Sequence, residues 1–201
     1  MQKNPELEHL FREHLLYYGD YVLLRYRIDR KPLYPQELDT FLHNKEFCYN
    51  PASVIPLFRF TEVFQARWSE YASCDKPDVD YEIYDASLVG HITNDMMRNY
   101  GTTPSEMAKH LNVLLETVNE YHPVVFYLYA ENVENRIIEA RNSRKQPRLS
   151  PEGLRFWKNR ASADRAVFPL LNSEKHWMDI SEGQWDDRLI EIKEILNEKG
   201  K

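Results

Sequence analysis

The sequence predicts an α/β fold in which parallel strands are covered by helices, and three observations predict it. From residue 81 onward, strand-like and helix-like segments alternate, which is the order of a parallel sheet with helical crossovers. The run PVVFYLYA at 123–130 has no polar alternation, as is typical of a strand covered on both faces. The amphipathic run before Gly101 ends at that glycine, a common helix terminator. We expect parallel strands at about 81–86, 123–130 and 175–180.

The first 75 residues are predicted to be mainly helical with one strand. The run YVLLRYRI at 21–28 has the β-branched and aromatic character of that strand. Apolar residues at helical spacing and proline at a helix start predict the helices, which we expect over 4–18, from Pro35, and over about 53–72.

The second half is predicted to alternate its three strands with helices. One helix starts at TTPSEMAK, where a threonine is followed three residues later by a glutamate, the pattern of a capping box. Further helices are expected over about 131–144, over 152–171 with a break near Ser162, and over about 183–200. We interpret residues 1–201 as a single domain, with 1–75 as the helical part and 76–201 as the α/β part.

Composition excludes several function classes. The net charge is −6, whereas nucleic-acid binding depends on a surplus of positive charge. The first residues are charged throughout, unlike a signal peptide, and no run of about 18 apolar residues occurs. We therefore expect a cytoplasmic protein without nucleic-acid or membrane partners. The two cysteines form no CxxC motif and are interpreted as reduced thiols.

Glycine is scarce, and this limits phosphate chemistry. The six glycines form neither GxxxxGK[ST] nor GxGxxG, the motifs in which backbone amides approach a phosphate closely. The sequence therefore lacks a recognisable phosphate-cradling loop.

From Gly19 onward the sequence resembles P-loop kinase-like NTPases related to thymidylate and nucleoside kinases. The resemblance is carried, in order, by GDYVLLRYR, YEIYDASLVGHITNDMM, PVVFYLYAENVENRIIEAR and MDISEGQWDDRLIEIKEIL. It implies a three-layer fold with helices on both faces of a parallel sheet, and phosphoryl transfer from ATP with Mg²⁺. In that family the first strand and its Walker A loop lie at the sheet centre, and this segment is missing from the sequence.

Asp85 is the main candidate catalytic residue, because the resemblance aligns it with an acidic residue at a strand end. A carboxylate at that edge holds Mg²⁺ through water or accepts a proton from an acceptor hydroxyl. The alternative is an aspartate that only caps the following loop. Ser87 and His91 follow it as candidate substrate-binding residues, with a capping serine and a surface histidine as the alternatives.

The densest basic cluster supplies the remaining candidates. Guanidinium groups match phosphate oxygens bidentately, and the resemblance puts the kinase lid after this segment. Arg141 and Arg144 are the candidate catalytic residues, and Arg136 and Arg148 the candidate substrate-binding residues. The alternative is a solvated helix face paired with glutamates. The basic residues that follow, Arg160 and Arg165 among them, are interpreted as solvated.

Three hypotheses remain open for function. The chain is the larger part of a kinase-like enzyme whose phosphate loop lies outside it, or an inactive kinase-like module that binds a nucleotide or a protein partner, or an unrelated helical scaffold. The expected ligand is a nucleotide or small phosphate acceptor. Unpaired strand edges would also favour a homo-oligomer.

Overall fold

A computed structural model describes residues 4–28, 31–46, 55–74 and 80–197. The described residues have a mixed α/β fold with eight α-helices and three two-stranded sheets, one of them parallel. None of the described helices is long and apolar enough to cross a membrane.

The N-terminal part begins with helix α1 and two small antiparallel sheets. Helix α1 (Pro5–Glu13) starts where the Asn4 side chain accepts a hydrogen bond from the Leu7 N–H at 3.2 Å. Strands β1 (Leu15–Tyr18) and β2 (Tyr21–Leu24) form a hairpin, and β3 (Arg27–Ile28) pairs with β4 (Lys31–Pro32). The predicted helix over 4–18 is therefore wrong beyond Glu13, because Gly19 at φ 58° reverses the chain and pairs its two aromatic flanks as strands.

Helices account for most of the remaining chain, and their starts agree with the sequence signals. Pro35 precedes α2, and Gly101 ends α4 in the left-handed conformation. The helix over 151–167 runs through Ser162, so the predicted break is wrong. The helices are α2 (Gln36–Lys45), α3 (Leu57–Ser73), α4 (His91–Tyr100), α5 (Pro104–Thr117), α6 (Val133–Ser143), α7 (Pro151–Val167) and α8 (Trp185–Asn197).

Strands β5 (Val124–Tyr129) and β6 (Glu174–Asp179) form the parallel sheet. Their register runs from Val124 opposite Glu174 to Tyr129 opposite Asp179. The connection contains α6, α7 and a short 3-10 helix, Phe168–Leu170. Two of the three expected parallel strands are thus confirmed.

The third expected strand, at 81–86, is wrong. Residues 81–84 have no regular secondary structure, and Asp85 and Ala86 lie in a bend. The reason is the lack of a neighbour: a strand exists only when an adjacent strand pairs with its backbone, and no other described segment pairs with this one.

The hydrophobic core lies between four helices, α3, α4, α5 and α7, and one face of the parallel sheet. Helix α5 runs through its centre, with Leu111 and Leu114 fully buried. Helices α3 and α7 pack against it, and Val125 and Tyr127 of β5 contact it from the sheet. The apolar periodicity of α5 is therefore that of a helix buried along much of its length.

The start of α5 gives a first testable prediction. The Thr103 N–H donates to Glu106 Oε2 at 2.8 Å, and the Glu106 N–H donates to Thr103 Oγ1 at 3.3 Å. The Thr103 N–H and the Thr103 hydroxyl, which donates to Glu106 Oε2 at 2.7 Å, lower the pKa of Glu106. We expect Thr103→Ala to reduce the free energy of unfolding by about 1 kcal/mol, measured by urea denaturation. Ser105→Ala, at an exposed position of the same turn, is the control, and an equal loss in both variants would contradict the capping role.

Candidate functional site

A tight turn precedes α4 and contacts α7. Ala86 has φ 51° and Gly90 has φ 122°, and the His91 N–H donates to the Ala86 carbonyl at 3.1 Å. A Cβ built on Gly90 would lie 3.2 Å from the Ala86 Cβ and 3.3 Å from Arg160 Nη2. Such unusual backbone conformations concentrate at functional sites, and this turn carries two of the predicted site residues, Ser87 and His91.

A buried polar network joins the turn to α7. The Gly90 N–H donates to Thr93 Oγ1 at 2.9 Å, and Thr93 Oγ1 donates to Asp164 Oδ1 at 2.5 Å. Arg160 Nε lies 3.7 Å from Asp164 Oδ2. Thr93 and Asp164 are both buried. Because a buried carboxylate needs partners, the network fixes the turn against α7.

The groups around this network have shifted pKa values. Burial raises the pKa of Asp164, against the opposing effects of the Thr93 hydrogen bond and the Arg160 charge. Burial also raises the pKa of Asp95, against its hydrogen bond from Asn94 and nearby positive charges. The pKa of Tyr127 is raised to about 12, mainly by burial and further by the charge of Asp164. Carboxyl groups with raised pKa values near arginines are a feature of many functional sites.

Arginines of α6 and α7 contact the carboxyl ends of β5 and β6. Arg165 donates to the carbonyl of Ala130, which follows β5, and its guanidinium lies 5.4 Å from the centre of the Tyr129 ring. From α6, Arg136 donates to the carbonyls of Ile180 and Ser181, which follow β6. In open α/β sheets, ligands bind outside the carboxyl ends of the strands.

The loops after the two strands are tied together. The Glu131 N–H donates to Ser181 Oγ at 2.9 Å. Ser181 also donates to Asp179 Oδ1, from its N–H at 2.8 Å and from its hydroxyl at 2.6 Å. These hydrogen bonds lower the pKa of Asp179, and the charges of Arg188 and Arg165 add to the effect. The edge is thus a polar surface with arginines on both sides of it.

The structure places the predicted residues Asp85, Ser87 and His91 in and beside the turn that precedes α4. Asp85 is exposed and lies in a bend rather than at a strand end, so its expected position on the sheet edge is wrong. Ser87 is half-buried, and His91 is the exposed first residue of α4. Gly90 of this turn lies next to Arg160.

The predicted arginines are divided between two regions. Arg136 reaches the carboxyl ends of the strands. Arg141 donates twice to the Pro147 carbonyl, at 3.0 and 2.7 Å, and so closes the connection after α6. Arg144 and Arg148 are exposed in that connection, beyond the end of α6, which is about 16 Å long. The structure therefore does not bring these three together with Arg136.

Residues missed by the sequence analysis complete the site: Thr93, Tyr127, Arg160, Asp164 and Arg165. Arg160 and Arg165 were interpreted as solvated, but they contact the turn and the end of β5. A signal was present in the spacing of α7. Asp164 precedes Val167 and Phe168 by three and four positions, which puts a carboxylate on the core face of the helix.

The residues present fit Mg²⁺ and the triphosphate of ATP to different degrees. Among the described residues, no group of three or more His, Cys, Asp or Glu side chains could hold a metal ion. Mg²⁺ carried by a phosphate ligand needs only one or two protein carboxylates, and exposed Asp85 fits that role. For the triphosphate of ATP, the sequence contains no GxxxxGK[ST] loop.

Comparisons with protein-family models, curated proteins and solved structures found no match to this chain. The chemistry of the site itself is clear. Arg136, Arg160 and Arg165 supply forked donors that suit phosphate oxygens. Asp164 and Asp95 hold protons at higher pH than ordinary carboxyl groups because burial disfavours their charged forms.

The turn gives a second testable prediction. We expect Gly90→Ala to reduce the free energy of unfolding by about 2 kcal/mol, because φ 122° is unfavourable for an L-residue and the added methyl group meets Ala86 and Arg160. Gly101→Ala is the control, since Gly101 also has a positive φ, 60°, but nothing lies within 4 Å of its built Cβ. The free energies of unfolding of both variants are measured by urea denaturation. Equal losses in the free energy of unfolding would show that close packing of the turn against α7 does not contribute to stability.

Proposed function

We propose that this chain binds the phosphate group of a nucleotide or a small phosphate acceptor at the carboxyl ends of β5 and β6. We further propose that it belongs to a kinase-like phosphotransferase with a P-loop type of three-layer fold. In this proposal β5 and β6 correspond to the last two strands of the parallel sheet. The proposal deepens the sequence resemblance with a specific arrangement of charged groups.

One observation carries the proposal: α7 carries Arg160 against the turn at 86–90 and Arg165 against the end of β5. Two guanidinium groups five positions apart on one helix therefore contact both segments that we propose face the ligand. Arg136 approaches the same strand ends from α6. Converging guanidinium groups are a common means of neutralising phosphate charge.

The roles proposed for the other residues follow from their exposure. Asp85 would accept a proton from an acceptor hydroxyl or bind Mg²⁺ carried by the phosphate ligand. Ser87 and His91 would contact the acceptor from the same turn. Arg141 would act from the last turn of α6, and Arg144 and Arg148 would act from the connection to α7, where they are exposed.

A second candidate function is binding without phosphoryl transfer. The observation in its favour is the sequence, which contains no GxxxxGK[ST] motif. One measurement distinguishes the two candidate functions. Transfer of the γ-phosphate of ATP to a panel of nucleosides and nucleotides, followed by ³¹P NMR, supports the kinase, whereas binding without transfer supports the second candidate.

The binding test uses isothermal titration with inorganic phosphate, ADP and ATP, each with and without Mg²⁺. We expect Arg165→Gln to weaken phosphate-ligand binding about 10- to 100-fold, which corresponds to one lost charge-assisted contact. The reason is that Gln keeps a side-chain amide but loses the fork and the charge.

The matched control is Arg155→Gln, the same change of charge on the same helix. The Arg155 side chain is 70% exposed, and its ion pair with Glu152, at 4.0 Å, is long. Equal affinity losses in the two variants would indicate a general electrostatic effect, and no binding of any probe by the unmodified chain would overturn the proposal.

A further inference from the structure

Residues 81–84, Tyr-Glu-Ile-Tyr, have no regular secondary structure and belong to no sheet of the described residues. Tyr84 Oη donates to Glu82 Oε2 at 3.4 Å. Ile83 alternates with them along the chain and is 90% exposed. The described residues form no backbone hydrogen bond with the peptide groups of 81–84.

The segment is anchored by side chains at both ends. Tyr81 Oη donates to the Leu196 carbonyl of α8 at 3.1 Å. The ring of Tyr84 packs edge-on against the ring of Tyr71 on α3, with 5.7 Å between the ring centres. The backbone between these anchors is therefore held in position without a backbone partner in the described part of the chain. Such prior ordering lowers the entropic cost of pairing.

The sequence and the structure conflict at this segment. Tyrosine and isoleucine favour strands, and a strand of such residues with unpaired peptide groups is a template for another chain. We propose that residues 81–84 form a docking strand that pairs with an extended peptide of a partner protein. In that peptide a basic residue lies opposite Glu82 and an apolar residue lies opposite Ile83.

Charge determines the kind of partner. Asp80, Glu82 and Asp85 are exposed, and no lysine, arginine or histidine occurs between residues 80 and 90. Opposite charges across a strand pair stabilise it, and like charges destabilise it. A second copy of this chain would bring its own three carboxylates to the pair, whereas a peptide with alternating lysine and valine complements both Glu82 and Ile83.

The test measures binding of a fluorescein-labelled hexapeptide of alternating valine and lysine by fluorescence anisotropy. A control peptide has the same sequence with N-methyl groups on alternate peptide nitrogens, which removes backbone donors but keeps the charge. Hydrogen exchange with mass spectrometry then locates the protected amides. Circular dichroism checks that each variant is folded.

Two variants test the pairing. We expect Ile83→Pro, which removes a backbone donor, and Glu82→Lys, which reverses the local charge, each to weaken binding about tenfold. Glu116→Lys, the same charge reversal at an exposed position of α5, is expected to change binding less than twofold. If Ile83→Pro does not fold, the comparison of peptide binding by Glu82→Lys and Glu116→Lys still tests the proposal.

We expect the valine–lysine hexapeptide to bind and its N-methylated form not to bind. Protection from hydrogen exchange should then appear at the amides of residues 81–84. Equal binding of the N-methylated peptide, equal losses in both lysine variants, or protection confined to other segments would overturn the proposal. So would a dimer of the unliganded chain that disappears in Glu82→Lys but not in Glu116→Lys, because the occupant would then be a second copy.

Discussion

Phe168→Ala is expected to reduce the free energy of unfolding by about 3–5 kcal/mol, the range for removing a fully buried aromatic ring. The side chain is fully buried. Its ring centre lies 5.3 Å from that of Tyr127 on β5 and 4.7 Å from that of Trp177 on β6. Phe168 therefore joins the end of α7 to both parallel strands, and its removal leaves a cavity beneath the proposed site.

Urea denaturation of the variant tests this expectation. Phe58→Ala is the control, because Phe58 is 57% exposed on α3, and it should cost less than about 1 kcal/mol. A loss at Phe168 no larger than that at Phe58 would contradict the packing of α7 against the sheet.

The second large effect concerns the pH dependence of stability. His110 on α5 is buried beside the rings of Phe60 and Phe64, at 6.1 and 6.3 Å between ring centres. Burial lowers its pKa from 6.5 to about 4. Between these two values the unfolded chain binds a proton that the folded chain excludes. Stability from this residue is therefore complete above pH 6.5 and decreases toward pH 4, by about 3 kcal/mol in total.

The variant His110→Leu isolates this contribution. The buried carboxyl groups Asp95 and Asp164 have the opposite effect, because their raised pKa values make the folded state lose stability as pH rises. These effects are common to both proteins and cancel in the difference. We expect the free energy of unfolding of His110→Leu to rise relative to that of the unmodified chain as pH falls from 6.5 to 4. Urea denaturation at several pH values measures this difference. A difference independent of pH would contradict a neutral buried His110.

Local signals predicted much of the fold. The parallel strand at 124–129 follows from an uninterrupted apolar run, and the one at 174–179 follows from its position in the strand and helix order. The start of α5 follows from Thr103 and Glu106, and the end of α4 follows from Gly101. These features depend on residues close together in the sequence.

Features that depend on distant residues were not predicted. The segment 81–84 has strand-forming residues, but a strand also needs a neighbour, which local sequence does not specify. The role of Asp164 depends on Thr93, 71 positions away. Arg160 and Arg165 resemble solvated residues in the sequence until α7 is packed against the turn and the end of β5.

We propose that the turn at 86–90, the strand ends and α7 form one phosphate-binding site. The most direct measurement is a series of ¹H–¹⁵N correlation spectra during titration with ADP and Mg²⁺. We predict saturable shifts at the backbone amides of residues 85–93, 130–136 and 160–165, with little change in the β1–β2 hairpin. Shifts confined to other segments, or no shifts at saturating ADP, would contradict the account.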